Sequence, residues 1–216
     1  MITLTKQGAL WRITLNRPEK ANALTAAMLW ELVEIAEAAQ QVRGLIITGA
    51  GGVFSAGGDL DEMAAGLANS DLWERLSNAN ANANANANAI ANAIAALPGL
   101  SIAALNGTLA GGAMGMALAC DIRLAVPKAK FFYPVMKRGF LPQPSDPLRM
   151  AALIGPARTK LILLGGQTLT AQEALQFGLI ERVVEPEALL PTAEQMAADI
   201  ITAPSGIARG IRALCS

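Results

Sequence analysis

The sequence predicts an α/β fold with mainly parallel strand pairing, and three observations lead to it. Segments with helical and strand patterns alternate along the chain, as in folds built from strand–helix units. An apolar run bounded by glycines, residues 44–49, follows a helical segment, as a buried parallel strand does. The length of 216 residues suits one α/β domain. We therefore expect a single domain over 1–216, with its core over about 1–185 and a helical C-terminal part over about 186–216.

The first part of the chain begins with a predicted hairpin and then enters the alternation. Residues 2–6 and 10–16 alternate apolar and polar side chains around a Gln-Gly pair, which is typical of a β-hairpin. Between residues 25 and 40, apolar positions recur at spacings of four and three, which predicts an amphipathic helix. The run 44–49 is the predicted parallel strand, and residues 60–76 have a looser helical pattern.

The second part of the chain continues the same alternation. Residues 101–105 predict another buried strand. Residues 111–120 are apolar on every side, which predicts a helix that is buried all round. Segments 121–126 and 131–133 read as short strands, and the remainder is mostly helical with one strand at 182–184.

One segment, residues 78–92, does not fit this description. Asn and Ala alternate there almost strictly, and no amphipathic period is visible. Asn is unfavourable inside helices, while Asn and Ala are both poor strand formers. We interpret the segment as an engineered replacement or a placeholder for unidentified residues, rather than a disordered tract, and assign no chemistry to it.

The composition excludes several classes of function. Lys and Arg number 17 against 17 Asp and Glu, so the clustered positive charge of a nucleic-acid or anionic-membrane surface is not expected. The chain has no His, which excludes Ser-His-Asp and Cys-His nucleophile pairs, His-ligated zinc and a His general base. Acid–base chemistry must therefore come from carboxylates, Tyr, Lys, water or the backbone.

The cysteines and the apolar residues predict a soluble cytoplasmic protein. Cys120 and Cys215 are too few for a Cys₄ metal site or a disulfide framework. No apolar run reaches the ~18 residues that span a bilayer, and no secretory signal is visible. Apolar residues make up 53% of the chain and charged residues 16%, which suggests that some apolar surface is covered in an oligomer.

The segment Ser55-Ala56-Gly57-Gly58-Asp59 is the first candidate functional motif. Small residues and glycines at a strand-to-helix turn let a ligand approach the backbone, and free N–H groups there suit an anion or a developing oxyanion. The alternative is an ordinary glycine-rich turn capped by Asp59. The spacing matches neither a dinucleotide-binding nor a Walker motif.

The pair Gly111-Gly112 is the second candidate, because it opens the predicted buried helix after a strand. The start of such a helix has unsatisfied N–H groups and the positive end of the helix dipole. Two glycine turns of this kind could converge on one carbonyl oxygen. They would then form an oxyanion hole made of backbone groups.

These motifs, in this order, resemble the crotonase superfamily, that is, the enoyl-CoA hydratase/isomerase family. The resemblance covers about residues 2–200 outside the Asn/Ala segment. It is carried by Asn16-Arg17-Pro18, Asn22-Ala23-Leu24, 54–60, 102–107, Gly111-Gly112, Ala119-Cys120-Asp121, Leu164-Gly165-Gly166, 171–174 and 177–180.

The resemblance implies a crotonase-like ββα superhelix, with C-terminal helices that are abbreviated here. It also implies an acyl-CoA thioester as substrate or ligand, no further cofactor or metal, and a homotrimer or a hexamer made of two trimers. Family members polarise the thioester carbonyl with two backbone N–H groups, which fall on Gly58 and Gly112. Positions that correspond to the family's CoA-binding segments are Lys20, Ala21, Ala23, Ser55, Ala56, Gly57, Leu60 and Gly111.

The sequence departs from the family at the acid–base positions. Family hydratases carry two glutamates, and the corresponding positions here are Gly115 and Val135. Some isomerases carry an aspartate at a third position, which is Gln143 here. Because Gly and Val cannot exchange protons, the usual acid–base pair is absent.

Two nearby residues are candidates to take over this role. Asp146 is one, although Asp146-Pro147 is more simply interpreted as a helix N-cap followed by proline at the first helical position. Tyr133 is the other, although it is more simply interpreted as a core or interface residue.

The sequence therefore leaves the activity open. One hypothesis is an enoyl-CoA hydratase/isomerase-family enzyme, a lyase or isomerase, that uses a non-standard proton-transfer group. The alternative is an acyl-CoA-binding pseudoenzyme without hydratase turnover. A third is a structural subunit that pairs with an active paralogue.

Overall fold

The computed structural model describes residues 1–62, 87–139, 141–204 and 206–215 and contains two sheets. A six-stranded sheet has the order β1-β2-β3-β5-β7-β10, and a four-stranded sheet has the order β4-β6-β8-β9. The strands are β1 (Ile2–Gln7), β2 (Leu10–Leu15), β3 (Gly44–Gly49), β4 (Val53–Ser55), β5 (Leu100–Leu105), β6 (Thr108–Ala110), β7 (Ile122–Ala125), β8 (Lys130–Phe132), β9 (Leu169–Thr170) and β10 (Arg182–Val183).

Helices surround the sheets and form most of the C-terminal part. They are α1 (Ala26–Ala38), α2 (Met114–Ala119), α3 (Val135–Arg138), α4 (Asp146–Leu163), α5 (Ala171–Phe177), α6 (Leu189–Thr202) and α7 (Ile207–Leu214). Residues 60–62 and 87–95 are also helical. Single 3₁₀ turns lie at Pro18–Lys20, Ala39–Gln41, Gly111–Ala113 and Pro186–Ala188.

The six-stranded sheet confirms the predicted α/β fold. Strands β1 and β2 form the expected antiparallel hairpin, with Ile2 opposite Leu15. From β2 onward, each neighbour in the sheet is parallel, through β3, β5 and β7 to β10. The central strands β3 and β5 are buried along almost their whole length, as their continuous apolar sequences predict.

The four-stranded sheet was not predicted in full. Strand β4 pairs in parallel with β6, and β6 pairs in parallel with β8, while β9 is antiparallel. Strands β4, β6 and β9 have three, three and two residues. Because segments this short show no alternation, the sequence patterns described β4 and β6 only as parts of glycine-rich turns. Their parallel pairing places both turns at the same edge of the sheet.

The two helices that flank these strands form as their sequences predict. Thr25 is the N-cap of α1, and its side chain accepts a hydrogen bond from the Met28 amide at 3.2 Å. The buried face of α1 carries Met28, Leu29, Leu32 and Ala36. All six residues of α2 are buried, which confirms the helix predicted to be apolar on every side.

Helix 87–95 contradicts the expectation that the Asn/Ala segment lacks an amphipathic period. Ala87, Ile90, Ala91 and Ile94 are buried, which is the spacing of one helical face. Two of these four residues are alanines, and alanine stands at every second position from 87 to 93. The alanines therefore do not mark one face of a helix in the sequence. Residues 78–86 of the segment and 63–76 of the other predicted helix lie outside the described residues.

None of the helices in the described ranges combines the length and apolarity needed to cross a bilayer.

We expect Ile94→Ala to lower the free energy of unfolding by about 3 kcal/mol, because it leaves a cavity in the core. Ile94 is 1% exposed, whereas Ile211 on α7 is 58% exposed. Ile211→Ala is therefore the matched control, with an expected loss below about 1 kcal/mol. Urea denaturation of both variants measures the difference. Equal losses would show that helix 87–95 does not pack as described.

Candidate active site

The two glycine turns that follow β4 and β6 are in contact with each other. A methyl group on Gly57 would lie 3.0 Å from the Ala110 carbonyl oxygen and 3.2 Å from the Gly112 nitrogen. Gly57 also has a φ of +94°, in the region that favours glycine. Position 57 therefore requires glycine for two reasons, its backbone conformation and the close approach of the second turn.

The backbone around Gly58 forms a parallel bridge with Leu24. The Leu24 amide donates to the Gly57 carbonyl at 2.8 Å, and the Asp59 amide donates to the Leu24 carbonyl at 2.9 Å. In a parallel bridge of this kind, the central residue directs its own N–H and C=O away from the partner. The amide of Gly58 is therefore directed away from Leu24, at an exposed position.

The Gly112 amide lies in the 3₁₀ turn that leads into α2. The first N–H groups of a helix have no acceptor within it, and they form the positive end of its dipole. The Gly112 carbonyl accepts a hydrogen bond from Gln143 Nε2 at 2.9 Å, which holds the next peptide group, on the C-terminal side of Gly112. The structure thus brings together the turns that contain the two predicted N–H donors.

The segment predicted to bind CoA lies beside the first glycine turn. The Ala56 amide donates to the Ala21 carbonyl at 2.9 Å, and Ser55 Oγ donates to the Asn22 carbonyl at 2.8 Å. The Ser55 side chain is buried, so its hydroxyl is used within the protein. Lys20 is exposed and forms an ion pair with Asp61 at 2.9 Å.

The positions of the CoA prediction differ in their exposure. Ala56 is exposed and Leu60 is 49% exposed, while Ala23 and Gly111 are half-buried. Ala21 is also half-buried and has a φ of +50°, an uncommon left-handed conformation for alanine. Such strain persists only where neighbouring contacts hold it.

Asn22 supplies those contacts. Its place in the motif Asn22-Ala23-Leu24 did not predict this role. Its Nδ2 donates to the carbonyls of Ala50 and Val53 at 2.9 and 2.8 Å. Its Oδ1 accepts from the Arg17 amide at 2.8 Å. A fully buried amide side chain thus ties the 17–22 turn to the loop before β4.

Asp59 anchors the same turn through an ion pair with the half-buried Arg17. Its Oδ1 also accepts from the amides of Asp61 and Glu62 at 2.9 and 3.1 Å, which confirms the predicted helix cap. The hydrogen bond from Arg17 holds the pKa of the Asp59 carboxyl below its usual value. The Gly57–Gly58 turn is therefore fixed at its end by a paired carboxylate.

Gly115 faces two polar side chains rather than empty space. A methyl group at this position would lie 2.7 Å from Asp146 Oδ1 and 2.8 Å from Gln143 Oε1. Val135, the other position that the resemblance assigns to a glutamate, is buried at the start of α3. The side chains of Gln143 and Asp146 therefore occupy the space in front of Gly115.

The Asp146 carboxyl does not act as the helix N-cap that the sequence suggested. Helix α4 begins at Asp146 itself, and Ser145 occupies the N-cap position. Asp146 Oδ2 instead accepts a hydrogen bond from the Tyr133 hydroxyl at 3.0 Å. That hydroxyl in turn accepts a hydrogen bond from the backbone amide of Gln143 at 3.3 Å. The two candidates Asp146 and Tyr133 thus form a hydrogen-bonded pair beside Gly115.

Burial dominates the ionisation of this pair. Asp146 is 0% exposed, and loss of hydration raises the pKa of its carboxyl to about 6, against the opposing effects of Tyr133 and Arg149. Burial also raises the pKa of the Tyr133 hydroxyl well above its ordinary value. The tyrosine is therefore a neutral donor near pH 7, and the aspartate is a carboxyl that exchanges its proton close to that pH.

A sequence profile described as enoyl-CoA hydratase/isomerase matches residues 5–214. The chain belongs to the enoyl-CoA hydratase/isomerase family. In the crotonase superfamily, to which this family belongs, solved structures show the same fold over almost the whole chain.

Two relatives illustrate the match in sequence. YngF of Bacillus subtilis strain 168, which is assigned to the enoyl-CoA hydratases/isomerases, is 38% identical over 192 residues, or 87% of this chain and 70% of its own length. The carnitinyl-CoA dehydratase of Escherichia coli K12 is 35% identical over 210 residues, or 95% of this chain and 76% of its own length.

Two solved members of the family illustrate the match in structure. The enoyl-CoA hydratase of Bacillus anthracis has a TM-score of 0.88 at 30% identity, with 99% of this chain and 81% of that chain covered. A Thermobifida fusca YX protein assigned as an enoyl-CoA hydratase, in complex with CoA, has a TM-score of 0.88 at 31% identity, with 99% and 83% covered.

The Asp59 anchor predicts a loss of stability in acid. Because the pKa of Asp59 is lowered in the folded state, its contribution is present above the carboxyl's unfolded pKa and is lost as pH falls through the folded pKa. The stability difference between wild type and Asp59→Asn is therefore expected to be largest near pH 7 and to shrink below about pH 4. Denaturant titrations across this range measure it. A difference that does not change with pH would exclude the ion pair.

The Asp146 carboxyl predicts the opposite dependence. Its folded pKa is raised, so its contribution is fully present below the unfolded pKa and is lost as pH rises through about 6. Relative to Asp146→Asn, wild type is expected to lose roughly 3 kcal/mol of unfolding free energy between about pH 3.5 and pH 7. The same titrations test this, and a wild type that gains stability relative to the variant over that range contradicts it.

Proposed function

We propose that this protein binds an acyl-CoA thioester and polarises its carbonyl between the backbone amides of Gly58 and Gly112. The observation that carries the proposal is the contact between the two glycine turns, with Gly57 within a methyl group's reach of the Gly112 nitrogen. Membership of the family and the neighbour solved in complex with CoA support the choice of ligand.

Two such donors stabilise negative charge on the thioester oxygen. A polarised thioester carbonyl makes the adjacent C–H bond more acidic, because the resulting enolate places its charge on that oxygen. Backbone donors held by the fold need no reorganisation when the charge develops, so they favour the enolate over the ground state. CoA in this proposal is part of the substrate or ligand, and no other cofactor is required.

The CoA portion would lie along the segment beside the first turn. Lys20 offers an exposed cation to its phosphates, and Ala56 and Leu60 offer exposed backbone and apolar surface. Because the Ser55 hydroxyl already bonds to Asn22, Ser55 would contribute through its backbone.

The assembly that fits this proposal is a homotrimer or a hexamer of two trimers in the cytoplasm. Large apolar side chains are exposed in one copy and would be covered by others. The most exposed among the described residues include Trp30, Met136, Leu141, Leu148 and Leu214. Light scattering after size-exclusion chromatography measures the mass directly.

The second candidate function is acyl-CoA binding without hydratase turnover. It is favoured by one observation, that Gly115 and Val135 carry no ionisable group. Both candidates require the same binding site, and they differ in whether crotonyl-CoA is converted. The absorbance of its conjugated enoyl thioester distinguishes them.

We expect Gly112→Pro to weaken polarisation of the bound thioester, because proline has no N–H and only the Gly58 donor remains. Gly112→Ala is the matched control, since both variants add a Cβ, which would lie 3.0 Å from Gln143 Nε2, and only proline removes the donor. The carbonyl ¹³C shift of labelled acetyl-CoA should move downfield on binding to wild type and the alanine variant. Where turnover occurs, Gly112→Pro should lower its rate by ~10²-fold or more.

Equal behaviour of the two Gly112 variants, with both still folded by circular dichroism, would contradict the assignment of this amide as a donor. A wild type that does not bind acetyl-CoA would contradict the proposed function itself.

A further inference from the structure

The Asp146 carboxyl has two oxygens in different environments. Oδ2 accepts the hydrogen bond from Tyr133 at 3.0 Å, whereas Oδ1 is buried and has no partner among the residues that the structure describes. Burying a carboxyl oxygen without a partner is unfavourable, and such groups are uncommon in folded proteins. The unpartnered Oδ1 is therefore available to accept a proton or a hydrogen bond from a ligand.

A second unpartnered oxygen faces the same space. Within the described ranges, Gln143 Oε1 is also buried without a hydrogen bond. Both oxygens lie within 2.8 Å of the point that a methyl group on Gly115 would occupy. Because Gly115 has no side chain, these two oxygens, which can accept a proton or a hydrogen bond, reach into the space that a side chain would occupy. We call this space, filled by the two oxygens, the gap at Gly115.

This gap lies close to the Gly112 donor. Gly115 follows Gly112 by three residues, so the two lie on one face of the same helical segment, about 5 Å apart. Gln143 spans them, because its Nε2 bonds to the Gly112 carbonyl while its Oε1 faces Gly115. A thioester whose oxygen is held by the Gly112 amide would therefore lie close to this gap.

We propose that Asp146 is the proton-transfer residue of this site and acts through Oδ1 across the gap at Gly115. The inference rests on the proposed function, since it takes the thioester to be held by Gly58 and Gly112. Tyr133 and Gln143 are positioning residues, because Tyr133 holds the Asp146 carboxyl and Gln143 holds the Gly112 carbonyl. Asp146 comes from the start of α4, which is a different element from those that carry Gly115 and Val135.

The step is balanced without a further reactant. Asp146 Oδ1, as the carboxylate, takes a proton from the α-carbon of a 3-enoyl-CoA, and the C–H electron pair moves into the new C=C bond of a dienolate. The thioester C=O electrons move onto oxygen, where the two amides bind the charge. The carboxyl then returns its proton to the γ-carbon, the double bond settles between the α- and β-carbons, and the carbonyl re-forms.

A single carboxyl is sufficient for this reaction but not for hydration. It removes the proton at one carbon and returns it at another, whereas addition of water needs a second group to activate the water. We therefore expect isomerisation of 3-butenoyl-CoA to be faster than hydration of crotonyl-CoA.

The central experiment compares Asp146→Asn with wild type on 3-butenoyl-CoA, followed by the absorbance of the conjugated product. We expect kcat to fall by at least ~100-fold, the usual scale for loss of a general acid–base. The Kd for acetyl-CoA should change by less than about threefold, because the amides of the hole are intact. The control is Asp199→Asn on α6, which changes an exposed carboxylate far along the chain and should retain full activity.

The asparagine variant is expected to remain folded. Its amide oxygen can still accept from the Tyr133 hydroxyl, and its side chain is neutral at a position where the wild type buries a carboxyl. Its Tm near pH 7 should therefore equal or exceed that of wild type. Loss of activity with an unchanged or higher Tm separates a catalytic role from a structural one.

The pH dependence supplies a second readout. The titratable and charged groups that act on Asp146 within the described structure are Tyr133 and Arg149. The Tyr133 hydrogen bond lowers the carboxyl pKa, so Tyr133→Phe should move the rising limb of kcat to higher pH. If kcat of Tyr133→Phe rises at the same pH as kcat of wild type, another group accepts the proton.

Gly115→Ala tests the gap. Its methyl group would displace Asp146 Oδ1, so kcat should fall by at least about tenfold while acetyl-CoA still binds. A variant as active as wild type would overturn the role of the gap.

The remaining outcomes separate this inference from the proposed function. If wild type does not bind acetyl-CoA, both are overturned. If wild type binds it with the carbonyl shift but does not isomerise 3-butenoyl-CoA, or if Asp146→Asn is as active as wild type, the role of Asp146 is overturned and the binding function stands.

Discussion

The contact between the two glycine turns is the constraint on which the candidate site depends. A side chain at Gly57 would meet the Ala110 carbonyl at 3.0 Å, so it would push β4 and β6 apart or disrupt the turn. The parallel pairing of these strands brings the turns together, and the absence of side chains leaves backbone amides as the donors at this edge. A site that uses peptide groups for recognition is compatible with a chain that contains no histidine.

Buried polar side chains around the turns fall into two groups. Asn22 and Asn106 bond to backbone groups of neighbouring loops, as Asn106 Nδ2 does to the Gly51 carbonyl at 2.9 Å, and Asp59 pairs with Arg17. These residues hold the loops and use their polar atoms in doing so. Asp146 and Gln143 differ, because each has a buried side-chain oxygen with no partner within the described structure. Asn22, Asn106 and Asp59 use their polar atoms within the protein, whereas Asp146 and Gln143 each have an oxygen left for a ligand.

Much of this arrangement could be predicted from local patterns, and the rest depends on tertiary contacts. The hairpin, α1, the buried α2 and the glycine turns each have a pattern within a few residues, and the structure contains them. Strands β4 and β6 have three residues each, which is too short for a period to show. The Asp-Pro pair suggested an N-cap, because no local pattern reveals that the Tyr133 hydroxyl reaches the carboxyl 13 residues later.

The crowding at Gly115 makes positions 115 and 146 interdependent. A glutamate at 115 would place its Cβ 2.7 Å from Asp146 Oδ1, so the Asp146 carboxyl would have to shift to accommodate it. Each substitution made alone is unfavourable for the site. Gly115→Glu crowds the Asp146 carboxyl, and replacement of Asp146 removes that carboxyl. Mutational routes between the two arrangements therefore show sign epistasis, in which the effect of one substitution depends on which residue is already present at the other position.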